Sequence, residues 1–256
     1  MNNLRITTVQ SPLIWEDVSA NLEMFDIKLR TLQDTDLIIL PETFTTGFSM
    51  NAAAIAQPMD GEVMEWLTAQ AAQHDAVVTG SFIAVDEGKY YNRLIWMQPD
   101  GAYQTYDKHH LFTLAKEHLA YTPGQKKLIV ELKGWKICPM VCYDLRFPAW
   151  SRNLEDYDLL YYIANWPKPR AHHWKTLLMA RAIENQCYVA GINRVGTDEK
   201  DLAYSGDSTV IDYSGQAYFQ LTDTEGVFTT ELSYEDLHAF RKKLNFLADR
   251  DKITIG

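Results

Sequence analysis

Short apolar runs alternate with amphipathic stretches along this chain, and that alternation limits the folds open to it. The runs from Leu4 to Val9 and from Asp36 to Leu40 have the length and the apolar content of strands, and Pro41 ends the second. Between them, residues 16–32 place apolar side chains at helical spacing. Strands that alternate with helices are typical of α/β proteins, so we predict that fold class.

The same alternation continues through the second half without a tandem repeat, a low-complexity tract or a Pro/Ser-rich linker. Further strands are predicted at 76–85, 93–98, 128–132, 136–141, 158–165, 187–193, 208–213 and 227–232. Helices are predicted at 62–74, at 174–186, after Pro148, and after Ser233 as N-cap. Even composition favours one domain over residues 1–256. The pattern alone leaves a doubly wound sheet and a layered sandwich both open.

Composition and charge narrow the possible functions. The chain has 24 Lys and Arg against 34 Asp and Glu, a net charge of −10, so we expect no nucleic-acid partner. No run approaches the roughly 20 apolar residues of a membrane span, and the first ten residues lack the features of a signal peptide. Three cysteines are too few for a disulfide framework. We therefore expect a soluble cytoplasmic protein without a membrane partner.

The segment from Ile137 to Trp150 contains a cysteine at the point where an apolar strand runs into a turn. At such a strand end, Cys142 can expose its sulfur while the following backbone N–H groups face the same point. An acyl-transfer nucleophile needs this geometry. The alternative is a structural cysteine, because free cysteines are usually buried. Cys138, on the same face of the strand, is assigned to the core.

Two charged residues occupy comparable positions elsewhere in the chain. Glu42 follows the predicted strand at 36–40, at the carboxyl end, where ligands gather in α/β sheets. Lys108 follows another strand-like run and is flanked by aromatic and histidine residues. Each could also be a solvated surface charge, since Glu and Lys are mostly exposed. Neither residue identifies a site by itself.

Two histidine pairs, His109–His110 and His172–His173, raise the question of a metal site. Adjacent side chains point in different directions on a helix or a strand, and neither pair has the spacing of a zinc-protease motif. Two thiols at 138 and 142 without further ligands nearby make a poor zinc site. We therefore predict no metal.

Three segments, taken in order, resemble the nitrilase, or carbon–nitrogen hydrolase, superfamily. They are Pro-Glu-Thr-Phe at 41–44, Asp-Lys-His-His-Leu-Phe at 107–112, and Val-Cys-Tyr-Asp-Leu-Arg-Phe-Pro at 141–148. Supporting matches occur at 122–124, 164–167 and 173–189, and the resemblance runs from Arg5 to Leu232. It implies a four-layer α-β-β-α sandwich, commonly a homodimer stacked through helices, and no cofactor.

The resemblance also implies roles for site residues. The Glu-Lys-Cys triad of the superfamily falls on Glu42, Lys108 and Cys142, and its additional active-site glutamate falls on Glu117. Cys142 would attack an amide carbon, with Glu42 as general base. Lys108 and the backbone N–H of Tyr143 would stabilise the oxyanion. Ammonia then leaves, and water hydrolyses the thioester to a carboxylic acid.

The sequence that follows the cysteine is most similar to the ω-amidase branch, which hydrolyses the terminal amide of short dicarboxylate monoamides such as 2-oxoglutaramate. Nitrilases proper carry Trp-Glu after the cysteine, where this chain has Tyr143 and Asp144. A substrate with a free carboxylate needs a cation, and the candidates are Arg146, Lys168 and Arg170. Candidate pocket-wall residues are Phe44, Tyr121, Trp166 and the Tyr161–Tyr162 pair, and Tyr143 is a further candidate for substrate binding.

Two other functions stay open at this point. The chain could be a carbamoylase or a general aliphatic amidase of the same superfamily, and a panel of amides would separate these from an ω-amidase. It could also be a non-catalytic binding protein that keeps the fold, although an intact triad argues against that.

Overall fold

A computed structural model describes residues 3–253; the predicted domain of 1–256 also includes residues 1–2 and 254–256, which lie outside the described residues. The described residues form fourteen strands. They are β1 (Leu4–Gln10), β2 (Leu37–Ile39), β3 (Gln57–Pro58), β4 (Val77–Asp86), β5 (Lys89–Met97), β6 (Tyr103–Asp107), β7 (Val130–Leu132), β8 (Trp135–Val141), β9 (Leu159–Ala164), β10 (Tyr188–Asn193), β11 (Val195–Thr197), β12 (Ala203–Ile211), β13 (Ala217–Thr222) and β14 (Gly226–Leu232).

Six α-helices connect or follow these strands in the described part of the chain. They are α1 (Val18–Leu29), α2 (Ala52–Ile55), α3 (Glu62–His74), α4 (Glu117–Ala120), α5 (Ala171–Asn185) and α6 (Tyr234–Lys243). The longest, α5, was predicted to begin at Trp174 and begins three residues earlier.

The strands form two mixed seven-stranded sheets. The first has the order β14-β1-β2-β4-β5-β6, with β3 beside β4, and the second has the order β11-β12-β10-β9-β8-β7, with β13 beside β12. The central strands of each sheet, β1-β2-β4 and β8-β9-β10, run parallel. Parallel neighbours place their carboxyl ends at one edge of a sheet, where ligand sites of α/β folds occur.

Alternate residues of a strand face opposite sides of its sheet. On β2, Leu37 and Ile39 pack between the two sheets, whereas Ile38 packs with apolar residues of α1 and α3. The hydroxyl groups of Thr79 on β4 and Tyr161 on β9 hydrogen-bond at 2.7 Å across the space between the sheets. The two sheets therefore stack face to face, and α1 and α3 cover the outer side of the first.

Helix α5 covers the outer side of the second sheet, and Gly191 on β10 permits its close approach. A Cβ atom at Gly191 would lie 2.4 Å from Leu178 and 2.8 Å from Trp174, both on α5. Leu237 of α6 is buried in the same core. The layers therefore follow one another as helices, sheet, sheet and helices, and the predicted four-layer α-β-β-α sandwich is confirmed.

Most of the predicted elements are present, with one clear exception. The helix at 62–74 has the predicted bounds, and the Ser233 side chain caps α6 by accepting a hydrogen bond from the Asp236 N–H at 3.2 Å. The helix predicted after Pro148 is wrong, because residues 149–151 form only turns. The backbone N–H of Trp150 is already bound to the carbonyl of residue 147. The strand pattern also missed β3, β11 and β13.

Candidate active site

The ends of strands from both sheets bring four predicted residues together. Glu42 lies just beyond β2, Lys108 follows β6 directly, and Cys142 follows β8 directly. Glu117 is the first residue of the short helix α4. The side chains of the two glutamates and the lysine are fully buried, which is rare for charged groups unless they are paired.

Lys108 lies between two carboxylates. Its Nζ is 2.9 Å from Oε1 of Glu42 and 3.0 Å from Oε1 of Glu117. Burial acts to lower the pKa of Lys108, but the charges of Glu117 and Glu42 outweigh it and raise that pKa above its ordinary value. Burial also raises the pKa of Glu117, with the nearby Lys108 opposing the rise. The lysine is therefore a permanent cation that shares its charge between two acids.

Two asparagines hold the carboxylate of Glu42 from other directions. The side-chain amide of Asn92, on β5, donates to Oε1 of Glu42 at 2.8 Å. Asn165, just after β9, donates to Oε2 of Glu42 from its backbone N–H at 2.7 Å and to the carbonyl oxygen of Glu42 from its side chain at 2.8 Å. Both oxygens of Glu42 are thus fixed in direction, and the acid cannot rotate freely.

Sequence reasoning gave these asparagines no role. Asn165 follows a buried strand, so the strand-end argument that selected Glu42 could also have selected it. Asn92 lies inside a strand, fifty residues from its partner Glu42, and no local signal marks it.

The backbone at Cys142 adopts an uncommon conformation. Its φ of 44° is in the left-handed region, and a single 3₁₀ turn over Cys142–Arg146 begins there. Non-glycine residues in this region are often found at functional sites, where surrounding contacts hold them. The turn leaves Cys142 half-buried, whereas Cys138 and Cys187 are completely buried. The assignment of Cys138 to the core agrees with that burial.

The Cys142 thiol lies in an environment that favours its neutral form. Burial and, next to it, the charge of Glu42 raise the pKa of the thiol well above its ordinary value, and Lys108 only partly opposes this. A cysteine in this setting rests as a thiol and needs a base in order to become a nucleophile. Glu42, which interacts with the thiol, is the group suited to that task.

The segment after Lys108 is held by a close backbone approach. The Gly124 N–H donates to the carbonyl of Lys108 at 3.0 Å, and a Cβ atom at Gly124 would lie 2.0 Å from the carbonyl oxygen of Asp107. The glycine of the Thr-Pro-Gly segment at 122–124 is therefore a steric requirement. In the same region, Glu117 accepts from the backbone N–H of Phe112 through its second carboxylate oxygen.

Glu42, Lys108, Cys142 and Asn165 line a cleft of about 850 Å³, its open mouth included. Of the predicted substrate-binding residues, four line it, namely Tyr143, Arg146, Trp166 and Arg170. Arg146 lies 4.7 Å from the centre of the Trp166 ring, and Arg170 lies 5.5 Å from that of Phe112. Within residues 3–253 neither guanidinium has an acidic partner within 4.0 Å. Both cations are therefore available to an anionic ligand.

Five residues predicted to bind substrate or to form the pocket wall do not line the cleft, and their assignment is corrected here. Tyr161 and Tyr162, on β9, are completely buried in the core. The ring of Phe44 is completely buried on the other side of the first sheet, 5.6 Å from the ring of Phe25. Tyr121 is buried in a separate cluster, and its hydroxyl donates to the carbonyl of Ser49. Lys168 is half-exposed and forms a salt bridge with Asp223 at 2.9 Å.

The cleft has a further wall that the sequence did not suggest. Asp198, Lys200 and Tyr204, on the β11–β12 hairpin, line its mouth, and the Tyr204 hydroxyl donates to Oδ2 of Asp198 at 3.0 Å. Deeper in the cleft, the Phe48 ring centre lies 5.0 Å from Nζ of Lys108. The pocket thus combines an apolar lining with a few charged groups.

Among residues 3–253, no group of three or more His, Cys, Asp or Glu side chains is placed to hold a metal ion. The helices of the same range include none with the length and apolar character needed to cross a membrane.

The profile of the carbon–nitrogen hydrolase family matches residues 5–242. The chain belongs to the carbon–nitrogen hydrolase family. Within this family it is 48% identical over 256 residues to the omega-amidase YafV of Yersinia enterocolitica, with all of both chains covered. It is 32% identical to the 2-oxoglutaramate amidase of Bacillus subtilis strain 168, over 95% of this chain and 96% of that one.

Among solved structures, this carbon–nitrogen hydrolase is similar to XC1258 from Xanthomonas campestris, a superfamily member with an arsenic adduct in its active site. The two superpose with a TM-score of 0.98 at 47% identity, and the whole of each chain is covered. The chain is therefore an amidohydrolase of the nitrilase superfamily, ω-amidase-like, that acts on carbon–nitrogen bonds other than peptide bonds.

Proposed function

We propose that this enzyme hydrolyses the terminal amide of short dicarboxylate monoamides, such as 2-oxoglutaramate, through a thioester on Cys142. The observation that carries the proposal is the buried Glu42–Lys108–Glu117 cluster at the base of a cleft. The same cleft is lined by Cys142 and by two arginines that have no acidic partner within residues 3–253. Lys108 is too deeply buried to serve as a surface charge, which is the alternative that the sequence left open.

In the acylation step, the Cys142 sulfur attacks the carbonyl carbon of the amide while its proton passes to Glu42. The carbon–nitrogen bond then breaks, and Glu42 delivers the same proton to the leaving nitrogen, so that ammonia departs. The raised pKa of the thiol supports this order, because proton removal and attack then belong to one step.

The negative charge that develops on the carbonyl oxygen is stabilised by Lys108 and by the backbone N–H of Tyr143. One such donor typically lowers the barrier by about 3–4 kcal/mol. Glu117, bonded to Lys108 at 3.0 Å, keeps the ammonium charged and directs it. Glu42 can therefore act as the base without neutralising the lysine.

In the deacylation step, water attacks the thioester carbon, and Glu42 takes a proton from the water. The carbon–sulfur bond breaks, and the proton passes from Glu42 to the sulfur, which restores the thiol. The carboxylic acid product leaves, and no cofactor takes part.

The free carboxylate of the substrate would bind to Arg170 and Arg146. Each guanidinium is held against an aromatic ring and lacks an acidic partner in residues 3–253, and a planar guanidinium suits a carboxylate. The similarity to a 2-oxoglutaramate amidase over almost the whole chain supports the same substrate class.

A carbamoylase or a general aliphatic amidase is the second candidate, since a relative that is 31% identical over 87% of this chain is an (R)-stereoselective amidase. Release of ammonia from 2-oxoglutaramate, succinamate, an N-carbamoyl amino acid and a neutral amide of equal length separates the possibilities. We expect the two monoamides to react with the highest kcat/KM. Equal or faster turnover of the neutral amide would refute the carboxylate-binding site.

We further propose one domain, a cytoplasmic location and a homodimer. The three free thiols fit a reducing compartment, and α5 carries the exposed apolar side chains Met179 and Ile183 on the outside of the sandwich. Light scattering tests the dimer, and a monomeric mass at the concentration of the activity assay would refute it.

A further inference from the structure

A buried carboxylate two residues after Cys142 is not used by the chemistry above. Asp144 is completely buried within the 3₁₀ turn that begins at the nucleophile, and its carboxylate lies 2.8 Å from ring Nδ1 of His110. A buried carboxylate is costly unless its lone pairs are satisfied, so its hydrogen-bond partners show what it holds in place.

One oxygen of Asp144 accepts hydrogen bonds from the two chain segments that carry Cys142 and Lys108. Oδ2 accepts from the backbone N–H of Val141 at 3.1 Å, the residue directly before Cys142. It also accepts from the Tyr106 hydroxyl at 2.7 Å, two residues before Lys108. A single atom therefore connects the end of β8 in the second sheet to the end of β6 in the first.

The other oxygen binds the residue that lies two positions after Lys108. Oδ1 of Asp144 accepts from the backbone N–H of His110 at 3.0 Å and lies 2.8 Å from its ring Nδ1. The His110 ring stacks on Phe147 with a centroid distance of 3.6 Å and an interplanar angle of 2°. Asp144 thus contacts the chain on both sides of Lys108, at positions 106 and 110, without touching Lys108 itself.

Further contacts hold the turn that contains Asp144 and the segment that contains Lys108 in place. Trp150 donates from its ring N–H to the Tyr106 hydroxyl at 3.0 Å, and its ring stacks on His109 at 3.8 Å. On the other side of the turn, buried Arg181 of α5 donates to the carbonyl of Leu145 at 2.6 Å. The turn that carries the nucleophile is therefore anchored both to the lysine segment and to the helix layer.

We propose that Asp144 is a positioning residue, which fixes the distance and direction between the Cys142 sulfur and the Lys108 ammonium by bridging the two segments that carry them. The inference rests on the proposed function, because it assumes that Cys142 and Lys108 act on the same carbonyl group. Misplacement of reacting groups by about 1 Å can reduce a rate by about a hundredfold.

The left-handed backbone of Cys142 explains why such a bridge is needed. A non-glycine residue at a φ of 44° is strained, and the strain persists only where the surroundings over-determine the conformation. The bond from the Val141 N–H to Asp144 closes the turn across Cys142 and resists its relaxation.

The test compares Asp144→Asn with Asp158→Asn, a matched control. Asp158 is also buried and also ends a bridge, since it accepts from the Lys136 N–H at 3.0 Å and from Arg241 at 2.7 Å. These partners lie at the start of β8 and on α6, so its bridge does not join the segments next to Cys142 and Lys108. Single-turnover acylation of Cys142 by succinamate, followed by mass spectrometry, is measured together with KM and the thermal midpoint.

We expect Asp144→Asn to slow acylation by about ten- to a hundredfold while KM changes less than about threefold, because the cleft walls stay in place. Asp158→Asn should lower the thermal midpoint and leave acylation within about twofold of the wild type. A wild-type acylation rate in Asp144→Asn would overturn the inference, and so would an equal loss in both variants.

A second variant, Tyr106→Phe, tests the role of Asp144 if Asp144→Asn does not fold. Tyr106→Phe removes one donor to Oδ2 and should slow acylation by about fivefold, the effect of one lost hydrogen bond; an unchanged rate overturns the inference. If the wild type forms no adduct on Cys142 with any amide of the panel, the proposed function fails and this inference fails with it. If the wild type reacts and the variants react equally fast, only the role of Asp144 is refuted.

Discussion

Replacing Lys108 with methionine removes one ammonium group and keeps most of the volume of the side chain. In the native protein, this ammonium lies 2.9 Å from Glu42 and 3.0 Å from Glu117, and all three side chains are fully buried. The substitution therefore changes the reaction and the electrostatics of the folded state together, and two separate measurements are needed.

The effect on chemistry follows from the oxyanion that Lys108 is proposed to stabilise. Loss of one such donor costs about 3–4 kcal/mol, which corresponds to a decrease of about a hundred- to a thousandfold in the acylation rate. Because the charge develops only in the transition state, kcat should fall with little change in KM. Lys108→Arg should also fail, since a planar guanidinium is bulkier than an ammonium.

The effect on stability has a defined pH dependence. Loss of one partner of a buried pair costs about 3–5 kcal/mol, because the remaining charge is uncompensated. Without the lysine, the pKa of Glu117, already raised by burial, rises further. A carboxyl group whose pKa is higher in the folded state binds protons more readily there, so the variant regains stability as the pH falls.

Rapid-quench acylation and thermal unfolding at two pH values test both parts. Lys108→Met/Glu117→Gln is the matched control, because it removes the surplus negative charge, and we expect it to recover much of the stability and none of the acylation. Wild-type acylation in Lys108→Met would refute the role assigned to the lysine. Equal stability of Lys108→Met and the wild type at neutral pH would refute the electrostatic argument.

Cys142→Ala should abolish hydrolysis and leave the fold intact, since only one sulfur is lost; residual turnover in a purified sample would contradict its role as nucleophile. Cys138→Ala and Cys187→Ala should keep full kcat and lose roughly 1 kcal/mol of unfolding free energy from core packing, which denaturant melts would measure. Arg170→Leu should raise KM for 2-oxoglutaramate by about ten- to a hundredfold, the effect of a lost charge-assisted hydrogen bond, whereas Lys168→Leu should change KM little. Equal KM values for these two variants would refute the choice of arginine over lysine.

The positions of Glu42 and Cys142 could be predicted because each follows the end of an apolar strand. Strand ends are readable from sequence, since the apolar run stops abruptly, as it does at Pro41 before Glu42 and at Val141 before Cys142. The three motifs, taken in order, then predicted that these distant segments belong to one active site, which local patterns could not indicate. The strand arguments alone did not distinguish a layered sandwich from a doubly wound sheet.

Side-chain direction was the part that sequence could not supply. Phe44 lies only two residues beyond Glu42, but Thr43 has a φ of 43°, and the turn there sends the phenylalanine into the core under α1 and α3. Asn92 was missed for a related reason, because its role depends on a long-range contact with a residue of another strand. The spacing of residues along the sequence predicts neither the direction of the Phe44 ring nor the contact between Asn92 and Glu42.

Glu42 and Lys108 follow strands of the first sheet, Glu117 begins α4, and Cys142 follows a strand of the second sheet. The sheet that supplies Glu42 and Lys108 is itself completed by β14, the last strand among residues 3–253, which pairs with β1. A nascent or cleaved chain that ends before β14 therefore lacks an edge of the first sheet, even though it already contains every residue of the cluster. Recovery of activity during refolding would accordingly report the docking of the two sheets rather than the formation of either one, and it should lag behind the recovery of strand signal in circular dichroism.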